Sequence, residues 1–309
     1  STELNGLGNV DFLTDPWSWW ITPFADNPFM RDALVAALLT VLTTSVVGTW
    51  VVLRGMSFLG DALAHGVLPG IAIAFIIGVD TSIGALLAAG AMVIGIAAIR
   101  RHSPLPEDTS IGVLFVGFLA LAVVIMSTQQ ASYVGDLNRF LFGSITGVDD
   151  ADLVRQAIVA AIAVVGVIVL YRALLVMTFD VTLAQMLGLR PGLTQAALLV
   201  LVAVSIVASF QSVGNLLVFA FLVAPPAAAS LVARRVPMIM VVSIGFGTTA
   251  AIVGILISYH HDSATSATMA LCSVVLFFIV LTLVAVHRSI RGRGGIASET
   301  SRSEPSLTA

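Results

Sequence analysis

The sequence predicts an all-α protein built as a polytopic bundle of transmembrane helices. Of its 309 residues, 58% are hydrophobic and only 10% are charged, whereas about 25% of the residues in ordinary soluble domains are charged. The hydrophobic residues are gathered into runs of roughly 20, the length that a helix needs to cross the ~30 Å hydrocarbon core of a bilayer. Both observations argue against a water-soluble fold.

Nine hydrophobic runs, separated by charged or turn-forming residues, predict about nine membrane-spanning helices. The predicted spans are Phe29–Leu53, Gly55–Ile77, Ser82–Ile99, Thr109–Ser127, Ala151–Leu170, Leu193–Phe210, Val213–Ala233, Pro237–Ser258 and Ala264–Val286. Because several breaks between runs are short, eight or ten spans are also compatible with the sequence.

The two ends of the chain differ from this membrane domain, which we place at residues 29–287. Residues 1–28 carry Trp17, Trp19 and Trp20, side chains that are enriched at membrane interfaces. We therefore predict an N-terminal strap outside the membrane, and no cleavable signal peptide is visible. Residues 288–309 are rich in serine, glycine and arginine, which predicts a disordered cytoplasmic tail.

The arginines predict the orientation. Most of them follow odd-numbered spans, and loops rich in positive charge face the cytoplasm. The N-terminus is therefore expected outside and the C-terminus in the cytoplasm. Aspartates collect in the outer loops, where they would attract cations or would simply be solvated surface residues.

Composition excludes several kinds of chemistry. The chain has no lysine, so it lacks the phosphate-binding lysine of a Walker A loop and cannot itself be a P-loop ATPase. Its single cysteine, Cys272, rules out an intramolecular disulfide and a multi-thiolate metal site. The net charge of -3 gives no indication of nucleic-acid binding.

Asp61 and His65 are the ionisable residues that lie well inside a predicted span. Four residues apart on one helix, their side chains share a face about 6 Å apart along the axis. An aspartate at the centre of a span costs roughly 2.5–3.5 kcal/mol, so a function for it is expected. A carboxylate with an imidazole suits Mn²⁺, Fe²⁺ or Zn²⁺, and a two-fold dimer would add a second pair of ligands. Two alternative roles for the pair remain: a hydrogen bond that only joins helices, or a proton relay.

Small residues and a proline surround this pair. Ala62, Gly66 and Gly70 recur every four residues, which would let a neighbouring helix approach closely. Pro69 removes the amide that would bind the carbonyl of His65. The proline predicts either a functional hinge with an added backbone ligand or a tolerated kink.

Residues 180–191, between the fifth and sixth spans, have a helical pattern although they lie outside the membrane; we call them the cytoplasmic segment. Asp180 is typical of an N-cap and Gly188 of a C-terminal stop. The spacing of Leu183, Met186 and Leu187 predicts a short amphipathic helix. Its apolar face could pack on this protein or dock a separate ATPase.

Four segments stand out along the chain between about Trp50 and Val286: Val52–Gly70, Leu141–Ser144, the Ala184 and Leu187–Gly188 pattern, and Gln211–Ala227. In these segments and in their order, the chain resembles the membrane permeases of ATP-binding-cassette importers for manganese, zinc and iron.

The resemblance implies a type II importer-like permease in the inner membrane of a bacterium, surrounded by lipid and working as a homodimer. Each copy would dock a cytoplasmic ATPase through Ala184–Gly188, and an extracytoplasmic binding protein would deliver the metal. Asp61 and His65 would belong to the metal path, with Mn²⁺ favoured over Zn²⁺ or Fe²⁺. No catalytic site and no permanently bound cofactor are expected in this chain.

Two features depart from the family pattern. The extension before the first span is long, and His260, His261 and Asp262 stand where a tyrosine-rich loop is usual. These three residues could receive metal at the outer mouth or form an ordinary solvated loop.

Two other classes of function remain. A proton-coupled secondary cation transporter would use Asp61 and His65 as a titrating relay and would work without ATP. An intramembrane enzyme is disfavoured, because the sequence has no His-Glu-x-x-His motif and no membrane-embedded serine that shares a convincing site with His65.

Overall fold

The computed structural model describes residues 22–102, 107–127, 150–261 and 263–300, and these residues form helices without strands. The helices are α1 (Thr22–Asp26), α2 (Pro28–Leu53), α3 (Phe58–Gly66), α4 (Leu68–Ile77), α5 (Thr81–His102), α6 (Glu107–Ser127), α7 (Asp150–Phe179), α8 (Val181–Met186), α9 (Pro191–Val213), α10 (Asn215–Val232), α11 (Val236–His261) and α12 (Thr265–Thr300). Most of the predicted strap, the Leu141–Ser144 motif and Asp262 lie outside the described residues.

Nine stretches of the described residues are long and apolar enough to cross a membrane, which confirms the predicted number of spans. Helices α3 and α4 together form the second span, Phe58–Ile77. The fifth span is longer than predicted, since α7 continues from Asp150 to Phe179. No proline or glycine follows Gly166 in this helix, and adding a residue to an existing helix is inexpensive.

The last helix also differs from the sequence-based expectation. Helix α12 continues to Thr300, so the first part of the predicted disordered tail is helical. Proline is absent between Thr265 and Thr300, although Gly292, Gly294 and Gly295 lie in this extension. Glycine weakens a helix by about 1 kcal/mol per residue but does not break it as proline does. Residues 301–309 lie outside the described part of the chain.

Helix α2 is the centre of the bundle. The apolar stretch of this helix that would cross the membrane is 72% buried, and the helix packs against α7, α9, α10 and α11. Two of its buried threonine hydroxyl groups donate to carbonyl oxygens one turn earlier, from Thr40 to Ala36 at 2.9 Å and from Thr49 to Ser45 at 2.7 Å. Because these hydroxyl groups are satisfied within the helix, α2 can carry them and still lie largely among other helices.

Glycine allows α2 to approach its neighbour α10. A Cβ atom added at Gly48 would lie 2.2 Å from the carbonyl oxygen of Leu222, a separation that real Cβ atoms do not adopt. Leu222 also lies 2.6 Å from a Cβ added at Gly60 of α3. The two glycines therefore bring α2, α3 and α10 together at the point where the second span begins.

Candidate metal site and cytoplasmic segment

Helix α3 carries the predicted metal ligands. It follows a tight connection in which Gly55 has a φ of 68°, a conformation that glycine adopts without strain. Within α3, Nε2 of His65 lies 3.4 Å from Oδ1 of Asp61. The structure thus brings the two side chains together, as their four-residue spacing predicts.

The pair is neither buried nor fully exposed. The side chains of His65 and Asp61 are 27% and 36% exposed, and the imidazole ring lies tilted against the ring of Phe115 in α6, with 5.9 Å between centroids. The second ring nitrogen, Nδ1, is buried and has no hydrogen-bond partner among the described residues. The face that carries both groups is therefore open on one side and packed on the other.

Pro69 lies just after the end of α3, the helix that carries Asp61 and His65. Helix α3 stops at Gly66 and α4 begins at Leu68, with the proline in its first turn. The amides of Val67 and Ile71 still donate to carbonyls four residues earlier, at 3.2 Å and 3.1 Å. Because proline has no N–H, the carbonyl of His65 receives no such bond from position 69.

The small residues around the pair lie against other helices. A Cβ added at Gly66 would lie 2.3 Å from Sδ of Met92 in α5, and one added at Gly70 would meet the backbone of Gly84 in the same helix. Ala62 is 3% exposed. The turns on either side of His65 are thus packed against protein.

One copy of the chain supplies few ligands. In the parts of the chain that the structure describes, no group of three or more histidine, cysteine, aspartate or glutamate side chains could hold a metal ion. His260 and His261, at the end of α11, are exposed and do not join Asp61 and His65 in such a group. One copy of the chain therefore offers two potential ligand side chains at this place, those of Asp61 and His65.

The cytoplasmic segment folds as its sequence predicts. Oδ1 of Asp180 accepts a hydrogen bond of 2.9 Å from the amide of Leu183 and caps α8, while Gly188 adopts a φ of 74° just after the helix. Ala184 is fully buried, but Leu183, Met186 and Leu187 are 45%, 79% and 54% exposed. The apolar side of α8 therefore faces away from this chain.

Two polar contacts were not foreseen from the sequence. Gln156 of α7 is 1% exposed and donates to the carbonyl of Ala36 at 3.1 Å and to the hydroxyl of Thr40. Near the opposite end of α2, Arg54 donates to Gln195 of α9. Both glutamines are uncharged and therefore do not appear among the ionisable residues, although an amide inside an apolar run is itself a signal of a polar contact.

The fold is that of a polytopic membrane protein, and the pair on α3 places two ionisable side chains within its second span. Residues 26–284 match the ABC 3 transport family, and the chain belongs to that family.

Relatives and a solved structure agree. The chain is 36% identical over 272 residues to the manganese import system permease protein ScaB of Streptococcus parasanguinis, covering 87% of this chain and 96% of that protein. It is 31% identical over 265 residues to a probable iron transport system membrane protein of Haemophilus influenzae, covering 86% and 97%. The structure of PsaBC from Streptococcus pneumoniae in complex with Fab is similar, with a TM-score of 0.74 and 33% identity over 84% of this chain and 94% of that one.

These findings confirm the resemblance to the permeases of metal-importing ABC transporters and the all-helical membrane fold. A permease of this family works with a separate ATPase subunit and with a substrate-binding protein.

Proposed function

We propose that this chain forms the translocation path of an ATP-driven importer of divalent metal ions, with Mn²⁺ favoured over Fe²⁺ or Zn²⁺. The observation that carries the proposal is the Asp61–His65 pair, two metal-binding side chains 3.4 Å apart on one open face of a membrane-spanning helix. A charged residue inside a span marks the path of an ion by default.

The chemistry of the pair suits a borderline or hard cation. Asp61 offers carboxylate oxygen, His65 offers imidazole nitrogen, and the carbonyl of His65 lacks its helical donor because of Pro69. Oxygen-rich sites favour Mn²⁺ among the candidate metals. The relative ScaB is named as a manganese importer and the Haemophilus relative as an iron transporter, which supports this choice of ions.

A second copy would complete the site. Two side chains on one helix are too few to hold an ion alone, and a two-fold axis beside α3 would bring another Asp61 and His65 to the same point. The partial exposure of both side chains leaves them accessible to such a partner. An importer also gains from weak, incomplete coordination, because the ion must leave on the other side.

The exposed apolar side of α8 supports docking of an ATPase. Phe179, just before this helix, is 73% exposed, so an apolar surface continues from α7 onto the cytoplasmic segment. Surface of this kind outside the bilayer indicates a protein partner. ATP binding and hydrolysis in that partner would switch the dimer between outward-open and inward-open states, exposing Asp61 and His65 to each side in turn.

We place the N-terminus, the binding protein and the acidic loops on the outer side of the membrane. Asp80 lies between α4 and α5, and the pKa of its carboxyl is below the ordinary value because the hydroxyl and the amide of Ser82 donate to it, with a further contribution from Arg155. Its negative charge would help to attract cations to the mouth. His260, His261 and Asp262 are candidates to receive the ion there.

The test is uptake of Mn²⁺, Zn²⁺ and Fe²⁺, alone and in competition, by proteoliposomes that hold the permease, its ATPase and its binding protein. We expect ATP-dependent uptake that is lost in Asp61→Ala and in His65→Ala. His102→Ala is the matched control, since this histidine is exposed at the end of α5 and, among the described residues, forms a hydrogen bond with the carbonyl of Ala98 in its own helix.

Uptake retained in both site variants would refute the assignment of the pair. Uptake by the permease alone, unaffected by removal of ATP, would instead identify a proton-coupled secondary transporter.

A further inference from the structure

We propose that Gln195 links the cytoplasmic segment to the metal-site helix, so that movement of a docked ATPase reaches Asp61 and His65 through this side chain. The inference rests on the proposed function and assigns a positioning residue within it. Gln195 would contact neither the metal nor the ATPase.

Gln195 holds the connection between the first two spans from two sides. It lies in the second turn of α9 and is 2% exposed. Its side-chain oxygen accepts a hydrogen bond from the guanidinium of Arg54, and its Nε2 donates to Sδ of Met56 at 3.3 Å. A single buried amide thus joins α9 to two residues that lie directly before α3.

The connection is itself stiff on the side of the metal site. The amides of Arg54 and Met56 donate to the carbonyls of Trp50 and Val51 at 3.1 Å and 3.0 Å, and the amide of Leu59 donates to the carbonyl of Met56 at 2.9 Å. Met56 is 2% exposed and precedes Asp61 by five residues. A displacement of Met56 would therefore move the first turn of α3, which carries the aspartate.

The backbone between the cytoplasmic segment and Gln195 is also continuous and hydrogen-bonded. The amide of Leu189 donates to the carbonyl of the fully buried Ala184 at 3.0 Å, and the amide of Thr194 donates to the carbonyl of Arg190 at 3.0 Å. Only two residues, Leu189 and Arg190, separate the Gly188 turn from α9. The apolar surface proposed for docking is thus joined to Gln195 through short, hydrogen-bonded backbone.

Direct packing supports the same route. Helix α9 packs against α3 as well as against α2, so the Gln195 contacts lie where these elements meet. Coupling between two sites needs an element that both can displace. Here the start of α9 is displaced by the cytoplasmic segment, and it holds the start of α3.

The experiment measures metal ions imported per ATP hydrolysed by the complete importer in proteoliposomes. Gln195→Met keeps the length and burial of the side chain but removes the acceptor for Arg54. Gln195→Glu keeps an acceptor and should rescue the ratio. Gln156→Met is the matched control, because it makes the same change at an equally buried glutamine that bonds α2 near its other end.

We expect Gln195→Met to lower the ratio on the order of tenfold, within the range typical of coupling between sites. Gln195→Glu and Gln156→Met should keep a ratio close to that of the wild type, even though Gln156→Met lowers thermal stability. If Gln195→Met does not assemble, Arg54→Met breaks the same contact from its other side and should lower the ratio in the same way.

An unchanged ratio of metal imported to ATP hydrolysed in Gln195→Met would overturn the inference without affecting the proposed function as an importer. The same holds for Arg54→Met if Gln195→Met does not assemble. An equal fall in Gln156→Met would overturn it too, because any buried hydrogen bond would then matter alike. Absence of ATP-driven uptake in the wild-type complex would count against the proposed function instead.

Discussion

The backbones of Gly70 in α4 and Gly84 in α5 are in direct contact. A Cβ atom at Gly70 would lie 2.1 Å from the carbonyl oxygen of Gly84, and one at Gly84 would lie 2.2 Å from the carbonyl oxygen of Gly70. The half of the second span beyond Pro69 is therefore held to the third span by backbone, with no room for a side chain on either helix.

Replacing either glycine should separate these helices. We expect Gly70→Ala and Gly84→Ala each to lower the free energy of unfolding by roughly 1–3 kcal/mol, the usual cost of overpacking. Thermal unfolding of the purified protein in detergent would measure it. Gly90→Ala is the control, because a Cβ at Gly90 of α5 meets nothing within 4 Å; equal losses at all three positions would contradict the packing argument.

The polar contact between α2 and α7 predicts a double-mutant result. Thr40→Val and Gln156→Met should each destabilise the protein by about 0.6 kcal/mol, the average for hydrogen bonds between membrane helices, and by at most about 1.7 kcal/mol. The double variant should lose less free energy of unfolding than the sum of the two single losses. When both side chains are replaced by apolar ones, neither is left as an unsatisfied buried partner. Strict additivity in equilibrium unfolding would mean that the two side chains do not interact.

The cap of α8 predicts a graded effect on docking. Asp180→Ala removes the bond to the amide of Leu183, which should cost the short helix about 0.5–2 kcal/mol, so less ATPase should co-purify with the permease. Asp180→Asn keeps a capping oxygen and should retain the partner. Equal recovery of ATPase with both variants would show that the cap has no part in docking.

The proposed site shared by two copies predicts the stoichiometry of metal binding. If two copies share one ion, the purified permease should bind one Mn²⁺ per two chains, and the Asp61→Asn variant should bind far less. Equilibrium dialysis with Mn²⁺ would measure both values, with His102→Ala as the control that keeps binding. One ion per chain would contradict the shared site.

Periodicity and charge placement were sufficient to predict the spans, because a span must be predominantly apolar over about 20 residues and its flanks need not be. They were also sufficient to place Asp61 beside His65 and to cap α8 at Asp180, since both depend on contacts between residues three or four apart. Helix ends depend on propagation and packing instead. The extensions of α7 and α12 were accordingly missed.

Contacts between distant segments could not be predicted. The hydrogen bond from Arg54 to Gln195 joins residues 141 positions apart, and that from Gln156 to Thr40 joins residues 116 positions apart. No local pattern encodes such pairs, because they depend on which helices become neighbours. The exposure of Met186 likewise follows from the direction in which α8 lies on the bundle.

The partly exposed carboxylate of Asp61 bears on how the protein assembles. In a lone subunit within the bilayer, the open face of α3 would meet lipid chains, and an unpaired charge on that face is costly even though Asp61 lies in the first turn of the second span and not at its centre. In the proposed dimer that face meets its own symmetry mate and an ion. Solitary subunits would therefore be less stable than the dimer. Because the shared ion would bind only to the dimer, a higher metal concentration would also favour dimer formation. Subunit association and metal affinity would thus be thermodynamically linked.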